Sequence, residues 1–259
     1  MEEREVRYEV TGAQARLTID RESARNALSP AVVQGLVDGL QRAEADPAVR
    51  VVVITGAGER VFCAGGDLGG MAGDGFLAGH EGRRGYGQLL QRLQGCSKPT
   101  VARVNGHALA GGLGLVLACD FAVATDAAGF GTPEIDRGLF PMMVLALLQR
   151  HVGRKRALQL LLLGERLTAA QALEWGLVTQ VVPAAELEGA TGALAQKLAG
   201  KSRAIMALGK RSFFATEDLP LPNALEMLAS QLSLNVMAED AAEGVTAFLE
   251  KRPPKWNDK

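Results

Sequence analysis

Two segments of small residues, 63–67 and 108–112, constrain the fold of this chain more than any other feature. Each segment follows a short apolar run and leads toward a stretch with helical character, in the order strand, glycine-rich turn, helix. Glycine has no Cβ atom, so the backbone at such a turn can approach a ligand closely. The first amides of a helix lack partners and can receive a negatively charged oxygen. Recurrence of this pattern predicts an α/β fold of stacked ββα-like units.

The remaining pattern predicts short strands in the first part of the chain and mainly helices after residue 141. The predicted strands cover residues 6–10, 15–19, 49–54, 101–104, 121–124 and 178–182. The predicted helices cover residues 30–45, 86–93, 142–151, 154–163, 187–198, 204–214, 224–237 and 241–249, with a further helix opened by a capping box at 168–171. The glycine-rich residues 69–87 are expected to form a mobile loop. We expect an α/β core over 1–200 and a helical module over 201–259.

Composition narrows the classes of partner and compartment. The 28 basic and 29 acidic residues give a net charge of −1, so no electrostatic argument favours nucleic acid or an anionic membrane. Cys63, Cys96 and Cys119 are too few for a disulfide framework and are interpreted as reduced thiols. The first residues lack the apolar core of a signal peptide, and no apolar run reaches the length of a membrane span. We therefore expect a cytoplasmic protein that binds neither nucleic acid nor membrane.

The two glycine segments together predict a specific kind of site. They lie about 45 residues apart on successive units, so each can place one backbone amide against the same oxygen atom. Such an oxyanion hole stabilises a transition state by roughly 2.7–4 kcal/mol for each donor. Either segment alone is also consistent with an ordinary turn, and neither has the spacing of a phosphate-binding motif. No histidine or cysteine has companions at metal-ligand spacing, so no metal is expected.

Seven segments, taken in order, relate the chain to a known family. They are residues 25–29, 62–68, 105–112, 119–120, 130–134, 164–169 and 172–182. Over nearly its full length the chain resembles the crotonase, or enoyl-CoA hydratase/isomerase, superfamily. The resemblance implies a crotonase-like spiral of ββα units with a C-terminal helical trimerisation module, assembled as a homotrimer or a dimer of trimers. It also implies acyl-CoA thioester substrates, with coenzyme A as part of the substrate and no separate cofactor, and oxyanion donors at Gly66 and Gly111.

The carboxylates expected from this resemblance are incomplete. Hydratases of the family generally carry two glutamates, and the corresponding positions here are Gly114 and Glu134. A further acid of some isomerases corresponds to Met142. A single carboxylate can move a proton along an enolisable thioester, which favours an enoyl-CoA double-bond isomerase with Glu134 as the acid/base. A hydratase, a decarboxylase and a non-catalytic acyl-CoA binding subunit remain alternatives. Asp136 is a candidate second acid if the strand continues past Glu134.

The remaining site predictions concern substrate binding. Arg25 is a candidate contact for the coenzyme phosphates, and Lys255 and Trp256 are candidates for charge and adenine stacking, with a solvated tail as an equal alternative. Ala64, Asp67 and Leu68 are expected beside the substrate, and Asp67 is also expected to cap the next helix.

The predicted acyl pocket is apolar, and its chain length is left open. Its expected wall consists of Met71, Phe76 and residues 139–143, among them Met142. The flexible methionine side chains suit an apolar acyl chain. His107 and Cys63 are interpreted as packed residues without a catalytic role.

Overall fold

The computed structural model describes residues 5–67 and 75–259, which form two β-sheets surrounded by helices. The strands are β1 (Val6–Thr11), β2 (Gln14–Ile19), β3 (Val51–Gly56), β4 (Val61–Cys63), β5 (Thr100–Val104), β6 (His107–Leu109), β7 (Phe121–Thr125), β8 (Gly129–Gly131), β9 (Arg166–Thr168) and β10 (Gln180–Val182). The helices are α1 (Pro30–Ala45), α2 (Gly75–Gly95), α3 (Gly111–Ala118), α4 (Met142–His151), α5 (Arg154–Leu163), α6 (Ala169–Glu174), α7 (Leu187–Ala199), α8 (Arg203–Thr216), α9 (Leu221–Val236) and α10 (Glu239–Leu249).

The larger sheet has the order β1-β2-β3-β5-β7-β10, in which only the β1–β2 hairpin is antiparallel. The smaller sheet has the order β4-β6-β8-β9, and its first three strands are parallel. Parallel neighbours end at the same edge of a sheet. The segments that follow β4, β6 and β8 therefore meet at one edge, and the predicted site lies there.

Strand β3 is buried on both faces. Val52 and Ile54 belong to the main core, which also includes apolar residues of α1 and α3. Val51 and Val53 face a second core, where they pack with residues of α7. This arrangement confirms the prediction of a strand covered on both sides and explains why its sequence is continuously apolar.

Several predicted helix starts are confirmed by their capping contacts. Helix α1 begins at Pro30, and the Ser29 hydroxyl accepts a 3.1 Å hydrogen bond from the amide of Val32. Helix α6 begins after Thr168, whose side chain and that of Gln171 form the expected capping box. Helices α4 and α5 have the predicted bounds. The starts of α1 and α6 follow from local side-chain to backbone hydrogen bonds, which is why a local pattern finds them.

The prediction of a loop over residues 69–87 is wrong where the structure describes it. Helix α2 begins at Gly75, eleven residues before the predicted start, and residues 68–74 lie outside the described part of the chain. Each glycine in a helix costs about 1 kcal/mol relative to alanine, so composition argues against this helix. Its last turns bury Leu89, Leu90 and Leu93 in the core, and this tertiary burial outweighs the local preference.

Helices α8–α10 are attached to the α/β core by polar contacts. The Lys210 ammonium on α8 lies 2.7 Å from an Asp120 carboxylate oxygen and donates to the Leu93 carbonyl. Asp240, at the start of α10, is buried and accepts from the backbone amides of Asn257 and Asp258. The division at residue 200 stays a prediction; the Lys210 contacts cross it, whereas the Asp240 contacts lie within the helical module. Within the described residues, no helix is long and apolar enough to cross a membrane.

Candidate active site

The two glycine segments lie in direct contact. Strands β4 and β6 pair in parallel, and the chain after each one turns at the same edge. Gly65 has a φ of +96°, and a Cβ atom built on it would lie 2.4 Å from the Ala110 Cβ and 3.1 Å from the Gly111 nitrogen. Glycine at position 65 therefore allows both the left-handed backbone and the close approach to Ala110, which a side chain would prevent.

The amides of Gly66 and Gly111 are available to a ligand. Gly111 is the first residue of α3, where the helix supplies no acceptor for its amide. Ala110 precedes it with a φ of 53° and a ψ of −128°, a strained conformation of the kind that concentrates at functional sites. In the described part of the chain, neither amide donates to a protein acceptor. The prediction that these two amides donate to one oxygen atom stays a prediction.

Glu134 lies at the same edge, in a 3-10 helix over Pro133–Arg137 that follows β8. Its side chain is partly buried, and among the described residues its Oε2 atom has no hydrogen-bond partner. Burial raises the pKa of this carboxyl, while its own backbone amide and Arg137 act in the opposite direction. A raised pKa suits a group that both accepts and returns a proton near neutral pH.

Tyr86 on α2 completes the site and was not predicted. Its hydroxyl donates a 2.7 Å hydrogen bond to the Gly111 carbonyl oxygen. Burial and the nearby Cys63 and Glu134 raise its pKa well above the usual value, so the phenol stays protonated. The signal available in the sequence was Gly114, because a glycine inside an apolar helix indicates close approach by another group.

The comparisons with known proteins now decide the family. The sequence profile of enoyl-CoA hydratase/isomerase matches residues 9–259. The chain belongs to the enoyl-CoA hydratase/isomerase family. Its similarity to the crotonase superfamily and its mixed α/β fold are thereby confirmed, and it is an acyl-CoA enzyme of this family.

Individual relatives share the fold over nearly the whole chain. A 2,3-dehydroadipyl-CoA hydratase of Escherichia coli strain K12 is 40% identical over 242 residues, or 93% of each protein. Human mitochondrial enoyl-CoA hydratase domain-containing protein 3 is 36% identical over 93% of this chain and 80% of the relative. The crystal structure of that human protein gives a TM-score of 0.94 at 33% identity, covering 98% and 100% of the two chains. An enoyl-CoA hydratase from Bacillus anthracis also gives 0.94, at 31% identity and the same coverage.

In this member of the enoyl-CoA hydratase/isomerase family, Arg25 is held beside the first glycine segment. The Ala64 amide donates to the Arg25 carbonyl oxygen at 3.1 Å, and the Arg25 side chain is exposed. The next residue, Asn26, is buried, and its side-chain amide donates to the carbonyl oxygens of Ala57 and Val61. Sequence reasoning gave Asn26 no role, yet it fixes the backbone that carries Arg25.

Asp67, at the end of the first glycine segment, forms an ion pair with Arg21. The two side chains form an ion pair of 3.0 Å, and Arg21 also pairs with Glu5. Leu68 and Met71, two predicted substrate contacts, lie outside the described residues. The predicted capping of the next helix by Asp67 therefore stays a prediction.

The suggestion that Asp136 shares the side of Glu134 is wrong in its premise. The chain at Glu134 is a 3-10 helix and no longer a strand, so residues two apart point in different directions. Asp136 is exposed, and its carboxylate lies 3.1 Å from the position of a Cβ atom on Gly164. It therefore faces the end of α5.

The predicted pocket wall meets α2 at the start of α4. Met142 is 65% exposed, and Phe76 on α2 is 79% exposed, so both have apolar surface available. Met143 covers Gly87 of α2, where its methyl carbon lies 2.6 Å from the position of a Cβ atom. The assignment of this surface to an acyl chain stays a prediction.

Most residues of the C-terminal tail are exposed, and Trp256 packs on the helical module. The Trp256 indole donates a 2.9 Å hydrogen bond to the Gly200 carbonyl, and its ring covers Gly244. The Lys255 amide donates to Glu243. In the described residues, no contact joins Lys255 or Trp256 to Glu134 or to the glycine segments, because these tail residues pack on α10 and the end of α7.

His107 and Cys63 have the packing roles expected of them. The Nδ1 atom of His107 accepts from the Gly129 amide at 3.0 Å, and burial lowers the pKa of the ring. Burial raises the pKa of the Cys63 thiol to about 12, so it is not a thiolate. Among the described residues, no three His, Cys, Asp or Glu side chains are grouped as metal ligands would be.

Proposed function

We propose that this protein is an enoyl-CoA double-bond isomerase with Glu134 as its acid/base. The observation that carries the proposal is the buried, unpartnered Oε2 atom of Glu134 at the edge where the free Gly66 and Gly111 amides lie. Among the described residues, the charged group that acts on Glu134 is Arg137, and no second carboxylate does. The site thus offers one proton carrier and two donors for an oxygen.

The reaction follows from these groups. The amides of Gly66 and Gly111 donate to the thioester oxygen, and the ionised Glu134 takes a proton from a carbon of the acyl chain. The electron pair of that C–H bond moves into the conjugated system as an enolate, whose negative oxygen the amides stabilise by roughly 2.7–4 kcal/mol each. Protonated Glu134 then returns the proton to another carbon, and the double bond has moved with no net change in atoms.

Coenzyme A enters this proposal as part of the substrate, with no separate cofactor or metal. Arg25 is the proposed contact for its phosphates because it is exposed and its backbone is bonded to Ala64. Lys255 is exposed and remains a second candidate cation, whereas the indole nitrogen of Trp256 is engaged by Gly200. Ala64, Asp67, Leu68 and Met142 are the proposed neighbours of the acyl thioester.

Hydration is the second candidate function, and the names of the relatives favour it. A 40% identical relative is a 2,3-dehydroadipyl-CoA hydratase. One glutamate can in principle guide both the water and the proton, although less effectively than two. Decarboxylation and binding without catalysis use the same oxygen-binding amides and are further outcomes of the test.

The test compares two reactions of the purified enzyme. A 3-enoyl-CoA is offered first, and formation of the conjugated 2-enoyl thioester is followed by its ultraviolet absorbance. Crotonyl-CoA is offered next, and loss of the same absorbance reports hydration. We expect isomerisation to be the faster reaction. Hydration that exceeds isomerisation overturns the proposal in favour of a hydratase, and tight binding without turnover of either ester supports a binding subunit.

Assembly and compartment are part of the proposal. Helices α8–α10 expose large apolar side chains, among them Phe213, Leu225, Leu232 and Phe248. An apolar surface of this extent suits burial between copies, so we expect a homotrimer or a dimer of trimers, measured by sedimentation. The three cysteines are free and buried, which supports a reducing compartment such as the cytoplasm.

A further inference from the structure

The side chain of Tyr86 fills the space next to Gly114, a glycine in the middle of α3. A Cβ atom built on Gly114 would lie 2.1 Å from the Tyr86 hydroxyl oxygen and 3.4 Å from a methyl group of Val144. A contact of 2.1 Å is far inside van der Waals distance. Any residue larger than glycine at position 114 therefore requires the phenol to move.

The phenol is also fixed in this position. Its hydroxyl donates to the Gly111 carbonyl, and its ring carbon Cζ lies 3.4 Å from the position of a Cβ atom on Gly111. Gly111 and Gly114 are three residues apart in α3 and therefore lie on one face of the helix. The Tyr86 side chain is thus wedged against two glycines of the helix that carries one oxygen-binding amide.

The same phenol is electrostatically coupled to the acid/base. Burial is the main cause that raises the pKa of Tyr86, and the charge of the nearby Glu134 adds to it. The protonated phenol of Tyr86 carries no charge, so the Glu134 carboxyl is the group of these two that gains and loses a proton. The volume of the phenol excludes both a second acidic side chain at position 114 and a water molecule in the same space.

We infer that Tyr86 is a specificity-determining residue, which restricts the site to moving protons by occupying the volume from which a second acid or a reacting water would act. This inference rests on the proposed function. The volume of this one side chain on α2 then decides whether the enzyme relocates a proton or adds water.

The experiment measures two rates for each variant. Hydration is followed with crotonyl-CoA, and exchange of the α-protons of butyryl-CoA in deuterated water is followed by mass spectrometry. Exchange needs only removal and return of a proton by Glu134 with the oxygen held, so it reports the proposed proton chemistry alone. The ratio of the hydration rate to the exchange rate reports specificity, and a general loss of folded enzyme does not change it.

Four variants separate volume from hydrogen bonding. Tyr86→Ala removes the phenol, and we expect the ratio to rise by about tenfold or more. Tyr86→Phe keeps the volume, and we expect a ratio within about twofold of the wild type. Gly114→Glu alone forces the phenol out of place and lowers both rates. Gly114→Glu combined with Tyr86→Ala has room for the acid and is expected to give the highest ratio.

Tyr8→Phe is the matched control, because Tyr8 is the other tyrosine of the chain and lies in β1. An unchanged ratio in Tyr86→Ala, with exchange retained, overturns the inference. A shift in Tyr86→Phe as large as that in Tyr86→Ala also overturns it, because the hydroxyl would then matter in place of the volume. If Tyr86→Ala does not fold, Tyr86→Val provides the same comparison. If the wild type shows no exchange, the proposed function itself is wrong. This outcome differs from a failure of the inference on Tyr86, in which exchange is retained.

Discussion

The hydroxyl group of Tyr86 donates a 2.7 Å hydrogen bond to the carbonyl oxygen of Gly111, so a helix before the second glycine segment supports the first turn of the helix after it. Gly111 carries one of the two free amides, and the phenol touches the same helical face at Gly114. The position of the proposed oxygen-binding turn and the space next to Gly114 therefore both depend on one side chain.

Glu134→Gln is expected to lower the rate of isomerisation and of α-proton exchange by about 10²–10⁴-fold, because an amide cannot accept the proton. The binding of a saturated acyl-CoA should change little, since the free amides remain. Kinetics and calorimetric titration measure the two effects. An unchanged exchange rate in this variant would exclude Glu134 as the base.

The raised pKa of Glu134 predicts a specific pH dependence. The acid limb of kcat/KM for exchange should lie above pH about 4.3, the usual pKa of a glutamate, because the base must lose its proton first. A raised pKa in the fold stabilises the protein below the unfolded pKa, and this contribution is lost as pH rises through the folded pKa. Glu134→Gln should therefore gain stability relative to the wild type as pH increases. Thermal melts across this pH range measure the difference, and a relative loss at higher pH would contradict it.

Arg25→Ala is expected to raise the KM for acyl-CoA by about two- to fivefold, the range of an exposed ion pair. The same acyl group on N-acetylcysteamine lacks the phosphates, so its KM should stay constant. Lys197→Ala, an exposed cation on α7, serves as the control. Equal losses with both thioesters would show that Arg25 supports the fold of the site and not the phosphates.

Lys210→Met is expected to destabilise the protein by about 3–5 kcal/mol, because the Asp120 carboxylate, whose side chain is only 14% exposed, would lose its cation. Asp120 also accepts from the amide and hydroxyl of Thr100, so it cannot turn toward water without breaking these bonds. Arg84→Met removes the exposed pair with Glu81 and should cost less than about 1 kcal/mol. Denaturant titration compares the two, and similar costs would refute the anchoring role of Lys210.

Gly65→Ala and Gly66→Ala form a matched pair. An added Cβ on Gly65 would meet Ala110 at 2.4 Å in a left-handed backbone, and we expect a loss of about 1–3 kcal/mol. An added Cβ on Gly66 meets no atom within 4 Å among the described residues, so its stability should stay within about 0.5 kcal/mol of the wild type. Melting temperatures measure both, and equal losses would mean that the close contact of the two segments is unimportant.

The features predicted well from the sequence are those with local causes. The start of α1 depends on Ser29 and Pro30, and the start of α6 on the Thr168 capping box. The glycine segments required no knowledge of the rest of the fold, because a turn without side chains is visible in the residues themselves. Helix α2 was shortened in the prediction because its glycines argue against a helix, whereas its burial against the core comes from distant segments.

The sequence by itself indicated the repeated order of strand, glycine turn and helix, and it supplied Gly66, Gly111 and Glu134 as candidates for the site. Only the tertiary structure decided what stands beside Gly114. The glycine at position 114 does not reveal which neighbour fills the space beside it, because that neighbour, Tyr86, comes from another helix. The same reason applies to Asp136, whose direction depends on a 3-10 helix that follows β8 and not on the residues alone.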